Sequence, residues 1–209
     1  MTDFSGLSLE EFLSRLASQA PTPGGGTAAA AAGAMGAALA EMVAALTLAR
    51  EKFADSHGAM RSIAEAAATA RREFLTLASE DAAAYDEVVA ARRLPKDTEP
   101  LKAERAARLQ TANRRATEVP LATARLAVGL LARLPELSEK GNPNAASDAG
   151  SAALLLEAAA RGALLNVRIN LAGVANAAAM ASEAASIERE AKQLCFAVLA
   201  SVGERISSS

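Results

Sequence analysis

Histidine and cysteine are almost missing from this 209-residue chain. It has one of each, His57 and Cys195, with no tryptophan and a single tyrosine among 3% aromatics. One cysteine excludes an intramolecular disulfide and a thiolate-rich metal site. One histidine excludes a multi-histidine zinc site within one subunit. No metal and no cofactor are therefore expected. An excess of either charge is also lacking, since 22 basic residues face 24 acidic ones for a net charge of -2. That balance gives no electrostatic footprint for nucleic acid. The N-terminus, MTDFSGLSLEEF, has neither the basic start nor the apolar run of a signal peptide.

What is present is alanine, about a quarter of all residues. Alanine is the strongest helix former and a weak strand former. The expected fold is all-α: a single-domain bundle of long Ala-rich helices over residues 1–209. The run 28–48 is long enough to cross a membrane. Glu41 interrupts it and alanine is only weakly apolar, so a buried core helix is the better reading, in a cytoplasmic protein with no membrane partner.

Local signals set the expected elements. Ser8 and Glu11 fit a capping box for a short helix over 9–19. Pro21-Thr-Pro-Gly-Gly-Gly26 should be irregular, with Thr27 capping the helix 28–48. That helix should fray near 53–58, and a long one should cover 60–93 until Leu94-Pro95 ends it. Pro120 divides the next stretch into two expected helices, 99–118 and 120–139. After the loop Lys140-Gly-Asn-Pro-Asn-Ala-Ala-Ser147, helices should run over 148–170 and 176–205.

Polar residues at apolar positions mark candidate chemistry. On a helical wheel Glu65, Arg72, Glu80 and Glu87 share one face of the third long helix. Ile63, Ala67, Ala70, Phe74, Leu77 and Val88 occupy the other. Asp81 falls within that apolar stripe, with Tyr85 one turn on. A carboxylate there must be paired, hydrogen-bonded or protonated. It is either a structural group satisfied by a neighbour or a general acid/base with a raised pKa. In the helix after the second loop, Asp148, Asn166 and Asn170 project away from Glu157, Arg161 and Arg168, in line with Leu155, Ala159 and Gly162. They either cross-link helices or form a polar floor for a heterocyclic ligand.

Gly24, Gly25 and Gly26 precede a helix start and leave backbone N–H groups for an anion or carbonyl. No Lys-Ser/Thr follows them and no strand precedes them, which makes a nucleotide loop the weaker reading. Asn142 and Asn144 fit a turn with side-chain caps or a second ligand contact. His57 reads as a solvent-exposed turn residue, Cys195 as core, and 102–115 as a solvated face.

Five segments in one order resemble a known family. They are Ala20-Pro-Thr-Pro-Gly-Gly-Gly-Thr-Ala-Ala28; Met35-Gly-Ala-Ala-Leu followed by Met42-Val; Arg93-Leu-Pro-Lys-Asp-Thr98; Gly141-Asn-Pro-Asn-Ala-Ala-Ser-Asp148; and Asn166-Val-Arg-Ile-Asn170. Together they resemble the cyclodeaminase/cyclohydrolase family of folate one-carbon enzymes, over about residues 9–202. The resemblance implies an all-α homodimer that acts on a tetrahydrofolate derivative. It places the catalytic carboxylate at Asp81, within Ser79-Glu-Asp-Ala-Ala-Ala-Tyr85. Substrate contacts would then fall to Gly24, Gly25, Gly26, Lys96, Asn142, Asn144, Asp148, Asn166 and Asn170, with Lys96 meeting a glutamate carboxylate. The matching begins near residue 9, so no formimidoyltransferase portion is expected ahead of it, which leaves open whether ammonia or water is exchanged. The competing expectation is a non-catalytic helical dimer or binding module. For dimerisation, Gly33 and Gly36 offer close backbone approach.

Overall fold

Why the helices stack as they do follows from how little separates them. In a computed structural model, Phe4 and residues 6–207 are described, and among these there is no strand. The helices are α1 (Leu9–Leu16), α2 (Gly25–Leu48), α3 (His57–Arg92), α4 (Glu99–Leu131), α5 (Leu134–Lys140), α6 (Ala146–Leu171) and α7 (Ala178–Ser207). Short 3-10 turns cover Glu51–Ser56 and Pro143–Ala145. The all-α expectation is met, and Ser8 and Glu11 close their capping box.

Helices α2, α3, α4 and α6 form a four-helix bundle. α2 packs against α3 and α6, and α4 completes the square against the same two. Neighbours run antiparallel. Gly26 lies at Asp81 and Gly33 at Phe74, while Gly25 lies at Asn166 and Gly36 at Leu156. The core is alanine with leucine fillers; Ala37, Ala40, Ala127, Ala152, Ala159 and Ala163 are fully buried beside Leu121, Leu156 and Leu164. Helices α5 and α7 cover the α4–α6 side, and α1 lies over α2 and α3.

Gly33 and Gly36 do not serve contact between chains. A Cβ on Gly33 would meet the Phe74 ring at 2.7 Å, and one on Gly36 would meet Leu156 Cγ at 2.9 Å. Both glycines are consumed inside the bundle. α2 is the one described helix long and apolar enough to cross a membrane, and half of its apolar window is buried against the other helices.

Two boundaries differ from expectation. Gly25 and Gly26 are not irregular: they form the first turn of α2, capped by Gly24, and Thr27 lies inside the helix. Pro120 does not end a helix either. α4 continues through it to Leu131, and the proline is buried in the core. Packing outweighs the local preference there.

Candidate functional site

The end of the bundle where α2 begins is where the polar residues gather. α3 and α4 extend past that end as a hairpin, joined by Val88, Ala91 and Ala112. At its base is a cavity of about 230 Å3, lined by Gly24, Gly25 and Gly26 from α2, Asp81, Tyr85 and Arg92 from α3, Asn113 from α4, and Asn166 and Asn170 from α6. Four segments distant in sequence thus meet at one point.

Asp81 sits on the first turn of α2. The Thr27 hydroxyl donates to Asp81 Oδ2 at 3.0 Å, and the Thr27 backbone N–H donates to the carboxylate as well. A helix N-terminus has free N–H groups and positive character, so a carboxylate is favoured there. Burial nevertheless dominates and pushes the Asp81 carboxyl above its ordinary range, with the two Thr27 bonds acting in the opposite direction. The result is a carboxyl held in place, partly desolvated and open to a cavity. Such a group can take and return a proton near neutral pH.

The glycines differ in purpose. A Cβ on Gly26 would lie 2.6 Å from Asp81 Cγ, so only glycine lets α3 bring the carboxylate onto the helix start. A Cβ on Gly25 would meet only Asn166 Nδ2, at 3.6 Å. Gly25 and Gly26 also leave N–H groups of the first turn free of intrahelical partners.

Pro120 explains part of the floor. Lacking an N–H, it cannot bond to the carbonyl of Ala116, one turn earlier. Asn170 fills the gap, donating from Nδ2 to that oxygen at 2.7 Å. Asn166 Nδ2 donates to Gly162 O at 3.1 Å, and Asn113 Nδ2 donates to Gly173 O at 3.2 Å.

The other expected contacts are placed differently. The loop carrying Asn142 and Asn144 packs on the opposite end of α2, where the Asn142 N–H donates to Thr47 Oγ1 at 2.8 Å. Thr47 is 22 residues from Gly25, about 33 Å along a helix. Asn142, Asn144 and Asp148 therefore do not line this pocket within one chain; only a second copy could bring them to it. Their local roles are structural, with Asn142 Oδ1 accepting from the Asn144 N–H at 3.1 Å. Lys96 stands exposed in the α3–α4 connection and does not line the cavity. The cation that does is Arg92, the last residue of α3.

Sequence reasoning missed Arg92 and Asn113. Arg92 had a discernible signal in its position, since it falls three turns after Asp81 on the same helix. Asn113 had none, because it lies in a charged stretch that reads as a solvated face. Cys195 is buried, and desolvation beside Glu157 pushes its thiol up to about 12, which removes it from chemistry here. Among the described residues no His/Cys/Asp/Glu group is arranged to hold a metal ion.

Comparison with known proteins matches residues 8–189 to the family described as Formiminotransferase-cyclodeaminase. A methenyltetrahydrofolate cyclohydrolase from Methylorubrum extorquens is 44% identical over 166 residues, covering 79% of this chain and 80% of that protein. The formimidoyltransferase-cyclodeaminase of Sus scrofa is 39% identical over 194 residues, which is 91% of this chain but 36% of that longer protein. A formiminotetrahydrofolate cyclodeaminase structure from Thermotoga maritima superposes with a TM-score of 0.87 at 33% identity, covering 97% of this chain and 98% of the other.

Proposed function

The chain belongs to the formiminotransferase-cyclodeaminase family and is an enzyme of folate one-carbon chemistry, and we propose that it forms or opens 5,10-methenyltetrahydrofolate with Asp81 as the proton shuttle. The observation that carries this reading is the placement of Asp81: a partly desolvated carboxyl, fixed by Thr27, facing a cavity with amide and guanidinium groups around it. The similarity to the Methylorubrum enzyme favours hydrolysis as the direction, and the similarity to the Thermotoga structure favours deamination.

In hydrolysis, water attacks the methenyl carbon and its proton passes to the Asp81 carboxylate. The carbon–N5 bond then breaks as the carbonyl forms, Asp81 returns its proton to N5, and the hydroxyl proton leaves to solvent. The product is 10-formyltetrahydrofolate, with one net proton released. In deamination, N10 attacks the formimidoyl carbon and loses its proton to Asp81. Asp81 then protonates the departing nitrogen, which leaves as ammonia. Both reactions use one carboxyl alternately as base and acid, and that suits a pKa raised toward neutrality. Arg92 and the first-turn amides of α2 supply donors to the substrate's carbonyl and carboxylate oxygens.

The test is spectroscopic. Enzyme-dependent loss of the near-ultraviolet band of methenyltetrahydrofolate supports hydrolysis, and its appearance from 5-formimidoyltetrahydrofolate supports deamination. No change with either compound leaves a binding module as the correct class.

A homodimer is part of the same proposal. The adjacent helices α2 and α6 expose Met35, Met42 and Leu46, and Leu154, Leu165 and Ile169. Glu41 is the one charged residue in α2, and its carboxylate is turned to Arg71 of α3. Two helices of this length side by side offer about 600 Å2 per subunit, the lower end of what stable interfaces bury. A second copy meeting this face across a two-fold axis is the occupant that needs no charge complement.

A further inference from the structure

Each of the three asparagines at the cavity has already committed its donor. The Nδ2 groups of Asn113, Asn166 and Asn170 face the main-chain carbonyls of Gly173, Gly162 and Ala116. A carbonyl only accepts, so chemistry fixes which end of each amide points to it. The Oδ1 atoms must point the other way. None of the three accepts a hydrogen bond from the protein, and among the described residues no buried side-chain nitrogen or oxygen lacks a partner. These oxygens therefore keep access to solvent, and all three residues line the same cavity as Asp81.

We infer that Asn113, Asn166 and Asn170 form an acceptor triad that selects a heterocycle rich in N–H donors, with Asn113 a binding residue of the site. On the function proposed above, on which this inference rests, that heterocycle is the reduced pterin. Its 2-amino group, N3–H and N8–H are three donors that persist whether the one-carbon unit is open or closed. The triad would then hold the ring equally in substrate and product while Asp81 acts at the one-carbon bridge. The scaffold supports this precision. Asn170 is locked by the carbonyl that Pro120 leaves free, and Asn113 by Gly173, where a Cβ would lie 2.7 Å from Asn113 Nδ2.

A site built to accept from an N–H leaves its own acceptor unpaired when the ligand lacks that donor, and such sites discriminate strongly. The experiment compares 5,10-methenyltetrahydrofolate with its 2-desamino-2-methyl analogue by KM and kcat. The wild type should favour the parent in kcat/KM by roughly 10²-fold or more, mostly through KM. Alanine at Asn113, Asn166 or Asn170 should raise KM for the parent. At the one asparagine that meets the 2-amino group, the preference over the analogue should also disappear, with the thermal midpoint recorded for every variant. Turnover of the parent by the wild type tests the proposed function separately. If the parent is turned over but the wild type uses both compounds alike, the acceptor triad is wrong while the function stands. If the wild type discriminates but no variant loses that preference, the selecting groups lie elsewhere and the inference is also overturned. The wild-type comparison needs no variant to fold.

Discussion

Gly26 and Asp81 are a matched pair: the carboxyl carbon of one lies 2.6 Å from where the Cβ of the other would be. Neither helix has room to yield, because α2 and α3 interlock again at Gly33 and Phe74. Gly26→Ala should therefore displace the carboxylate, and a displacement of about 1 Å costs turnover on the order of 10²-fold. Gly25→Ala places its methyl 3.6 Å from Asn166 and should cost far less. Steady-state rates of the two variants at matched concentration make the comparison, and equal losses would contradict the pairing.

Thr27 tunes the pH response. Its hydroxyl and N–H oppose the upward push of burial on the Asp81 carboxyl. Asp81 must be ionised to accept the first proton, so activity falls as pH drops through its raised pKa. Thr27→Val removes the hydroxyl bond and keeps the shape. The acid limb of the rate profile should then move to higher pH. A limb that stays in place, or moves to lower pH, would show that another group controls it.

Pro120 and Asn170 should be energetically coupled. Asn170→Ala leaves the Ala116 carbonyl without its donor, a loss of about 1–3 kcal/mol for a buried acceptor. Pro120→Ala restores an N–H one turn later, so the same Asn170→Ala change should cost less in that background. A double-mutant cycle by chemical denaturation measures the difference. Additive losses would contradict the role assigned to Asn170.

How much of this was readable in the residues depends on the range of the interaction. Alanine content and periodicity carry the all-α fold, and Asp81 stands out because a carboxylate inside an apolar stripe violates a local pattern. Pro120 misleads because its preference to start a helix is local, while the core contacts that keep α4 continuous are distant. Asn142 and Asn166 look alike in sequence, yet they sit at opposite ends of α2, since α6 runs antiparallel to it. Asn113 is invisible for the same reason: only the crossing of α4 with the end of α6 makes it a pocket residue.

The exposed face of α2 and α6 gives a prediction about assembly. Light scattering should report about twice the 21.3 kDa chain mass. Leu165→Glu, on a side chain that packs on nothing in one chain's core, should shift that mass to the monomer while helical content is retained. A wild type that is monomeric at micromolar concentration would contradict the interface.

Asp81→Asn, read for rate and thermal midpoint on one preparation, tests the central claim most directly. The substitution keeps the size of the side chain and removes the exchangeable proton. Turnover of the folate substrate should fall by roughly 10²–10⁴-fold, the usual worth of acid/base catalysis. Stability should hold or rise at neutral pH. A carboxyl whose pKa is raised in the folded state costs stability once it ionises, and that cost vanishes below the ordinary aspartate value. The midpoint advantage of Asp81→Asn should accordingly shrink as pH falls toward that value. A folded Asp81→Asn protein that turns over both folate substrates at near-normal rates, with a lowered midpoint, would contradict the shuttle and make Asp81 a structural cap of α2.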